Sequence, residues 1–232
     1  MLPVDAYCGP APPPEALAAS WNADPAVIAL LAVLVALAVR QGRADRGLAA
    51  LVLAIAFVSP LCALSSALFS ARAVHHLMMV ALAAPLLARG LPWAFPGHAA
   101  AVHGLVIWLW HLPAAYGAAL ASPLVYWGME AALLGSALWL WSALLCAPAE
   151  RAIAAAGATL GHLGFLTGLL LFAKDPLYAA HAGTTLPYGL TQLDDQQLAG
   201  VLMAGLGMLP YGALILWRLR PLVERTLERA EA

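Results

Sequence analysis

The chain has 232 residues, of which 63% are hydrophobic and only 10% charged, and its formal net charge is −1. An ordinary soluble domain carries roughly 25% charged residues, and eleven cations with twelve anions cannot give a globule of this length a polar skin. The composition excludes a soluble enzyme, the charge offers no footprint for nucleic acid, and both point to an all-α integral membrane protein with lipid as its solvent.

Residues 1–24 read as an extracytoplasmic segment. They hold Asp5 and Glu15 but no Lys or Arg, so a cleavable signal peptide, with its basic start and apolar centre, is not expected. Residues 25–219 form a single transmembrane domain. A bilayer core needs about 20 apolar residues per helix, and seven such runs lie near 25–39, 48–70, 73–89, 98–118, 123–147, 151–173 and 195–217. The first and third are short. Asp24-Pro25 and Ser122-Pro123 each place a capping side chain before a proline at the first helical position.

Basic residues orient the spans. With the N-terminus outside, the inner loops and the cytoplasmic tail (residues 220–232) hold Arg40, Arg43, Arg46, Arg89, Arg151, Arg218, Arg220, Arg225 and Arg229. The outer loops hold only Arg72 and Lys174. The tail after Pro221 reads as a short solvated helix whose acids and bases pair four residues apart.

Pro60, Pro85, Pro113 and Pro210 interrupt spans and are expected to kink them. Gly157, Gly161, Gly164 and Gly168 share one face of span six and predict close packing of a neighbouring helix within the chain. The three cysteines, Cys8, Cys62 and Cys146, show no paired spacing. They read as inert apolar residues without a disulfide framework.

Ionisable side chains inside spans are costly and point to function. The candidates are His75, His76, His103, His111, Glu130 and His162, with Asp194 and Asp195 at the outer start of span seven. At about 1.5 Å per residue, Glu130 lies roughly 12 Å below the outer end of span five. His75 and His76 lie within a turn of the outer end of span three, His111 in the outer half of span four and His162 near mid-membrane. Only His103 falls clearly in the inner half. Met79 shares a helical face with His75 and His76, and Met129 adjoins Glu130. Imidazole with thioether suits copper, above all Cu(I), so these residues predict a metal or proton site opening outward. The bland readings are an interhelical hydrogen bond for His103 or His162, packing for Met78 and Met79, and helix capping for Asp194 and Asp195.

Several activities fail on inspection. The only lysine, Lys174, lies outside the last span, which excludes a retinal Schiff base. One His-His pair is too few for a di-iron desaturase, and neither an HExxH pair nor a Gly-rich phosphate loop occurs. No enzyme activity is expected.

Four strings carry a family resemblance. They are His75-His76-Leu77-Met78-Met79, Trp110-His111-Leu112-Pro113, Asp194-Asp195-Gln196-Gln197-Leu198-Ala199-Gly200 and Trp21-Asn22-Ala23-Asp24-Pro25. In this order and spacing they resemble the multi-spanning cytochrome c oxidase assembly factors called CtaG, from Trp21 to the end of span seven. The resemblance implies a multi-pass protein of the bacterial plasma (inner) membrane that assists copper loading of a haem-copper oxidase, whose subunits are its partners. It carries His76 and His111 over as metal positions, and Asp195 and Gln196 as the polar opening of span seven. Arg72 and, in span five, Tyr126 and Glu130 stand where the family pattern has histidines. A site assembled on this basis takes His76 and His111, aided by His75, Met79 and Glu130, with copper held transiently. Competing readings are a small-solute or ion transporter using Glu130, His111 and His162, and a bis-histidine membrane haem protein.

Overall fold

The computed structural model describes residues 6–231, except the side chains of 225–227 and 229–231. Arg225 and Arg229 therefore lie outside the described side chains. Among the described residues every regular element is helical.

Helix α1 (Pro25–Arg40) starts where Asp24 accepts the amide of Ala26 at 2.8 Å. Ser122 stands in the capping position before α8 (Pro123–Cys146), but its side chain makes no capping bond. Proline at the first turn, with its preset φ, starts that helix.

The four span-interrupting prolines act in two ways. Pro60 and Pro113 open new helices. The pair α2 (Ala44–Val58) and α3 (Pro60–Ala67) bends by 49°, and α6 (Pro96–His111) and α7 (Pro113–Ala121) by 74°. Pro85 and Pro210 leave their helices continuous, but each lies just beyond a widened π turn. Met78–Ala83 lies between α4 (Phe69–Leu77) and α5 (Ala84–Ala88), and Met203–Gly207 between α10 (Gln192–Leu202) and α11 (Met208–Glu231). Proline has no N–H to give the preceding turn, and a widened turn absorbs the misfit. In the first of these turns the Val80 carbonyl takes a hydrogen bond from the Trp141 indole at 2.8 Å.

Four helices are long and apolar enough to cross a membrane: Phe69–Ala88, Pro123–Cys146, Ala149–Phe172 (α9) and Gln192–Glu224. Six result if each bent pair is one span. Helix α1 has 16 residues, about 24 Å at the standard rise, and falls short of a bilayer core of about 30 Å. The third span is longer than its apolar run suggested, because it begins at Phe69. Arg72, expected in an outer loop, is therefore inside α4 and only 1% exposed. The last helix continues through Pro221 to Glu231, so the tail is an extension of α11. Its Arg220 pairs with Glu224 at 2.8 Å.

Helix α8 packs against α5, α6, α7 and α9, and α10 packs against both α4 and α9. Basic residues gather at one end of the bundle. Arg43 donates to the Arg89 carbonyl at 2.9 Å, and Arg218 donates to the carbonyls of Leu144 and Leu145.

Two expectations fail. Gly157, Gly161 and Gly168 face open space, and only Gly164 of that stripe meets a neighbour, Met208. Close helix approach occurs instead at Gly200, where an added Cβ would stand 3.2 Å from the Thr167 carbonyl. The cysteines are not all inert: Cys8 and Cys62 form a disulfide, and only Cys146 is free. Their 54-residue separation shows no local pattern, and folding of the first segment onto α3 brings them together.

Candidate metal centre

The span Phe69–Ala88 packs against α8 through its π turn and α5, and α4 brings its side chains to the first turns of α8. One turn into each stand Arg72 and Tyr126, with the guanidinium 5.2 Å from the Tyr126 ring centre. One turn deeper stand His75, His76 and Glu130. Adjacent residues on a helix point about 100° apart, yet both imidazoles reach the same carboxylate. His76 Nε2 lies 3.2 Å and His75 Nδ1 3.8 Å from Glu130 Oε1. Arg72 Nη1 lies 3.7 Å from that oxygen. One ligand atom from each of His75, His76 and Glu130 fits within 4.8 Å of the others, a grouping that could hold a metal ion.

The group is buried and partly unsatisfied. His75, Arg72 and Glu130 are each at most 2% exposed, while His76 is partly exposed. Both His75 ring nitrogens, Glu130 Oε2 and all three Arg72 side-chain nitrogens lack a hydrogen-bond partner. Buried polar atoms normally find partners, so these atoms mark a place where a ligand would be stabilised. The Phe57 ring packs edge-on against His75 at 4.7 Å and limits its rotation.

The other candidates divide into three sets. Met79, fully buried, lines an apolar cavity of about 380 Å³ that also reaches Glu130. His111 is not in the ligand grouping, but it shares with His76 a cavity of about 40 Å³, room for a few waters. Its Nδ1 donates to the Ile107 carbonyl at 2.8 Å, which leaves Nε2 as the acceptor.

Asp194, Asp195 and Gln196 lie away from the grouping and bind backbone. Asp194 closes a capping box with Thr191 at the start of its own helix. Asp195 caps a different helix. Its carboxylate accepts the amides of Phe69 at 2.6 Å and Ser70 at 3.1 Å, and also the Ser70 hydroxyl. It thereby satisfies the start of α4, whose own N-cap residue, Leu68, contributes no side-chain bond. Gln196 accepts the Leu177 amide at 2.7 Å and donates to the Leu170 carbonyl at 3.3 Å, tying down the α9–α10 loop.

His162 sits apart on α9. It packs against Gly104, where an added Cβ would come within 3.2 Å of its Nε2, and it lines a separate cavity of about 810 Å³. His103 is fully buried and bonds Ser136 at 2.8 Å.

Two further features lie near this end of the bundle. His181, in the α9–α10 loop, is buried, and its Nε2 meets the Tyr116 hydroxyl at 2.7 Å. Burial and the Arg72 charge push its pKa down to about 4, so the ring is neutral at pH 7. Tyr7 stacks on Tyr126 with ring centres 4.9 Å apart, and Cys8 Sγ lies 3.6 Å from the Tyr126 hydroxyl. Burial and its bond to Asp24 push the Tyr7 phenol up to about 12.

Fold and grouping together define a helical membrane protein with ligand-bearing side chains near one end of its bundle. The chain belongs to the cytochrome c oxidase caa3 assembly factor family (Caa3_CtaG), whose model matches residues 93–225. The match includes His111, Glu130, Asp195 and Gln196, while Arg72, His75 and His76 precede it. No curated protein and no solved structure matches the chain.

Proposed function

We propose that this assembly factor serves the copper-loading stage of a haem-copper oxidase, without enzymatic activity, by holding copper transiently at His75, His76 and Glu130. In this reading α1 counts as a span. The protein then crosses the plasma membrane seven times, with the N-terminus outside and the C-terminus in the cytoplasm. The end carrying Arg43, Arg89 and Arg218 is cytoplasmic, which places the grouping near the outer face. The observation that carries the reading is the juxtaposition of two imidazoles and a carboxylate with free ligand atoms.

Charge favours Cu(I) as the cargo. Arg72 already offsets Glu130, so a monovalent ion leaves one net positive charge in a low-dielectric site and a divalent ion leaves two. Met79 supplies a soft sulfur on the Glu130 side. His111, across the small cavity from His76, stands where copper would pass toward or away from the group.

Deleting the gene in its host should lower both oxidase activity and oxidase copper content; normal values for both would end this reading. In the purified protein, His75→Ala and His76→Ala should each abolish stoichiometric Cu(I) binding. His111→Ala should slow loading more than it lowers final occupancy. Equal copper in all variants would leave a scaffold without metal.

A further inference from the structure

The N-terminal segment closes the same end of the bundle, and a disulfide holds it there. Tyr7 lies on Tyr126 and meets the Trp127 ring edge-on at 4.8 Å. Trp127 stacks in turn on Phe57, whose ring touches His75. Aromatic contacts thus run from Tyr7 through Trp127 and Phe57 to His75 in the metal grouping. Tyr7, joined directly to Cys8, is the far end of that series. Besides the disulfide, the segment is fastened by Tyr7 to Asp24 at 2.6 Å and by Asn22 to the Phe57 carbonyl at 3.0 Å.

The two sulfurs are not equivalent. Cys8 lines a surface cavity of about 480 Å³ together with Pro10, Pro12 and Trp21. Cys8 is 8% exposed and Cys62 is fully buried. Polar groups stand near both sulfurs: the Asn22 amide lies 3.8 Å from Cys62 Sγ, and the Tyr126 and Ser65 hydroxyls lie 3.6 and 3.9 Å from Cys8 Sγ. Thiol–disulfide exchange runs fastest when the attacked sulfur is accessible and the departing thiolate is stabilised. Burial decides between them: Cys8, the less buried sulfur and the one at the surface cavity, is the attacked atom, and Cys62 is the leaving group.

We infer that Cys8–Cys62 is a thiol–disulfide exchange site for an extracytoplasmic dithiol protein, and that its reduction frees the Tyr7 segment to uncover the metal grouping. The inference rests on the proposed function for its orientation and for what lies beneath. A thiolate of the dithiol partner attacks Cys8 Sγ, and the electron pair of the protein S–S bond leaves on Cys62 Sγ, which takes a proton. The partner's second thiolate then attacks the mixed disulfide and releases Cys8 as a thiol. The protein gains two electrons and two protons, and the partner ends as a disulfide.

The test uses the full chain with Cys146→Ser, in detergent, so that only the pair reports. A reduced thioredoxin-fold protein at micromolar concentration should expose two alkylatable thiols within minutes, read by intact mass. Cu(I) delivered from a chelator should load at least tenfold faster into Cys8→Ser/Cys62→Ser, which has no thiol at the entrance, than into the oxidised chain. A disulfide that resists the dithiol protein until the chain is unfolded would overturn the inference and make the bond a staple. Equal loading of the oxidised and cysteine-free chains would overturn the uncovering step. Neither result touches the proposed function, which fails separately if no form takes up Cu(I) at the histidines while the thiols still exchange.

Discussion

The two halves of the bundle each bury histidines, yet they treat them differently. At the end where α4 and α8 begin, His75 and His76 share a carboxylate with a guanidinium, in a layer at most partly open to solvent. Around α6 and α9, His103 has the Ser136 hydroxyl as its partner, and both His162 nitrogens lack a hydrogen-bond partner. An imidazole is inexpensive to bury when neutral, so a buried histidine alone says little. A buried carboxylate is costly unless it is paired, and Glu130 is the residue that turns one histidine cluster into a site.

This contrast breaks most sharply at Glu130. Glu130→Gln should abolish Cu(I) binding and destabilise the chain by about 3–5 kcal/mol, because it strands the Arg72 charge in the interior. Thermal unfolding of the single variant and of Arg72→Met/Glu130→Gln measures this. The double variant should recover most of the loss, and a double variant as unstable as the single one would refute the charge argument.

Protonation probes the same end of the molecule. His181 ordinarily titrates near 6.5 and here near 4. Between those values the unfolded chain binds a proton that the folded chain refuses. Stability should therefore be complete above pH 6.5 and fall by about 3 kcal/mol on acidification to pH 4. His181→Gln should flatten that slope in unfolding curves recorded across the range.

Asp195→Ala should cost about 2 kcal/mol by leaving the first amides of α4 without an acceptor, and it should lower copper affinity only indirectly. Asp194→Ala, which removes an exposed cap, should cost less than half as much. The smallest effect belongs to the histidines of α6 and α9: His103→Asn and His162→Ala should leave copper content unchanged. Loss of copper in either would erase the distinction between the two halves.

Much of the membrane architecture was legible in hydropathy. The α8 and α9 spans appear within a few residues of their apolar runs, because an uninterrupted apolar stretch in lipid has no alternative to helix. Pro60 and Pro113 announced the two bends. Span three was misjudged because Arg72 looked like a loop residue; its pairing with Glu130 and Tyr126, 54 or more residues away, is what allows it inside. The Cys8–Cys62 bond and the reach of Asp195 to α4 were invisible for the same reason, since both join segments that only the tertiary fold brings together. The site was partly legible. Outward clustering of titratable groups pointed to His75, His76 and Glu130, but residue depth alone could not place His111 a cavity away or remove His162 to another face.

The Asp195 carboxylate also has a consequence for the order in which the protein is made. It belongs to the span that begins at Gln192, and it caps a helix that emerged some 125 residues earlier. Chains are built from the N-terminus at about 5–20 residues per second. The α4 helix therefore waits roughly 6–25 seconds in the bilayer with its leading amides unsatisfied. The helix that carries both imidazoles settles only after Asp195 has emerged, so a shorter nascent or truncated chain would not present a finished ligand group to stray metal.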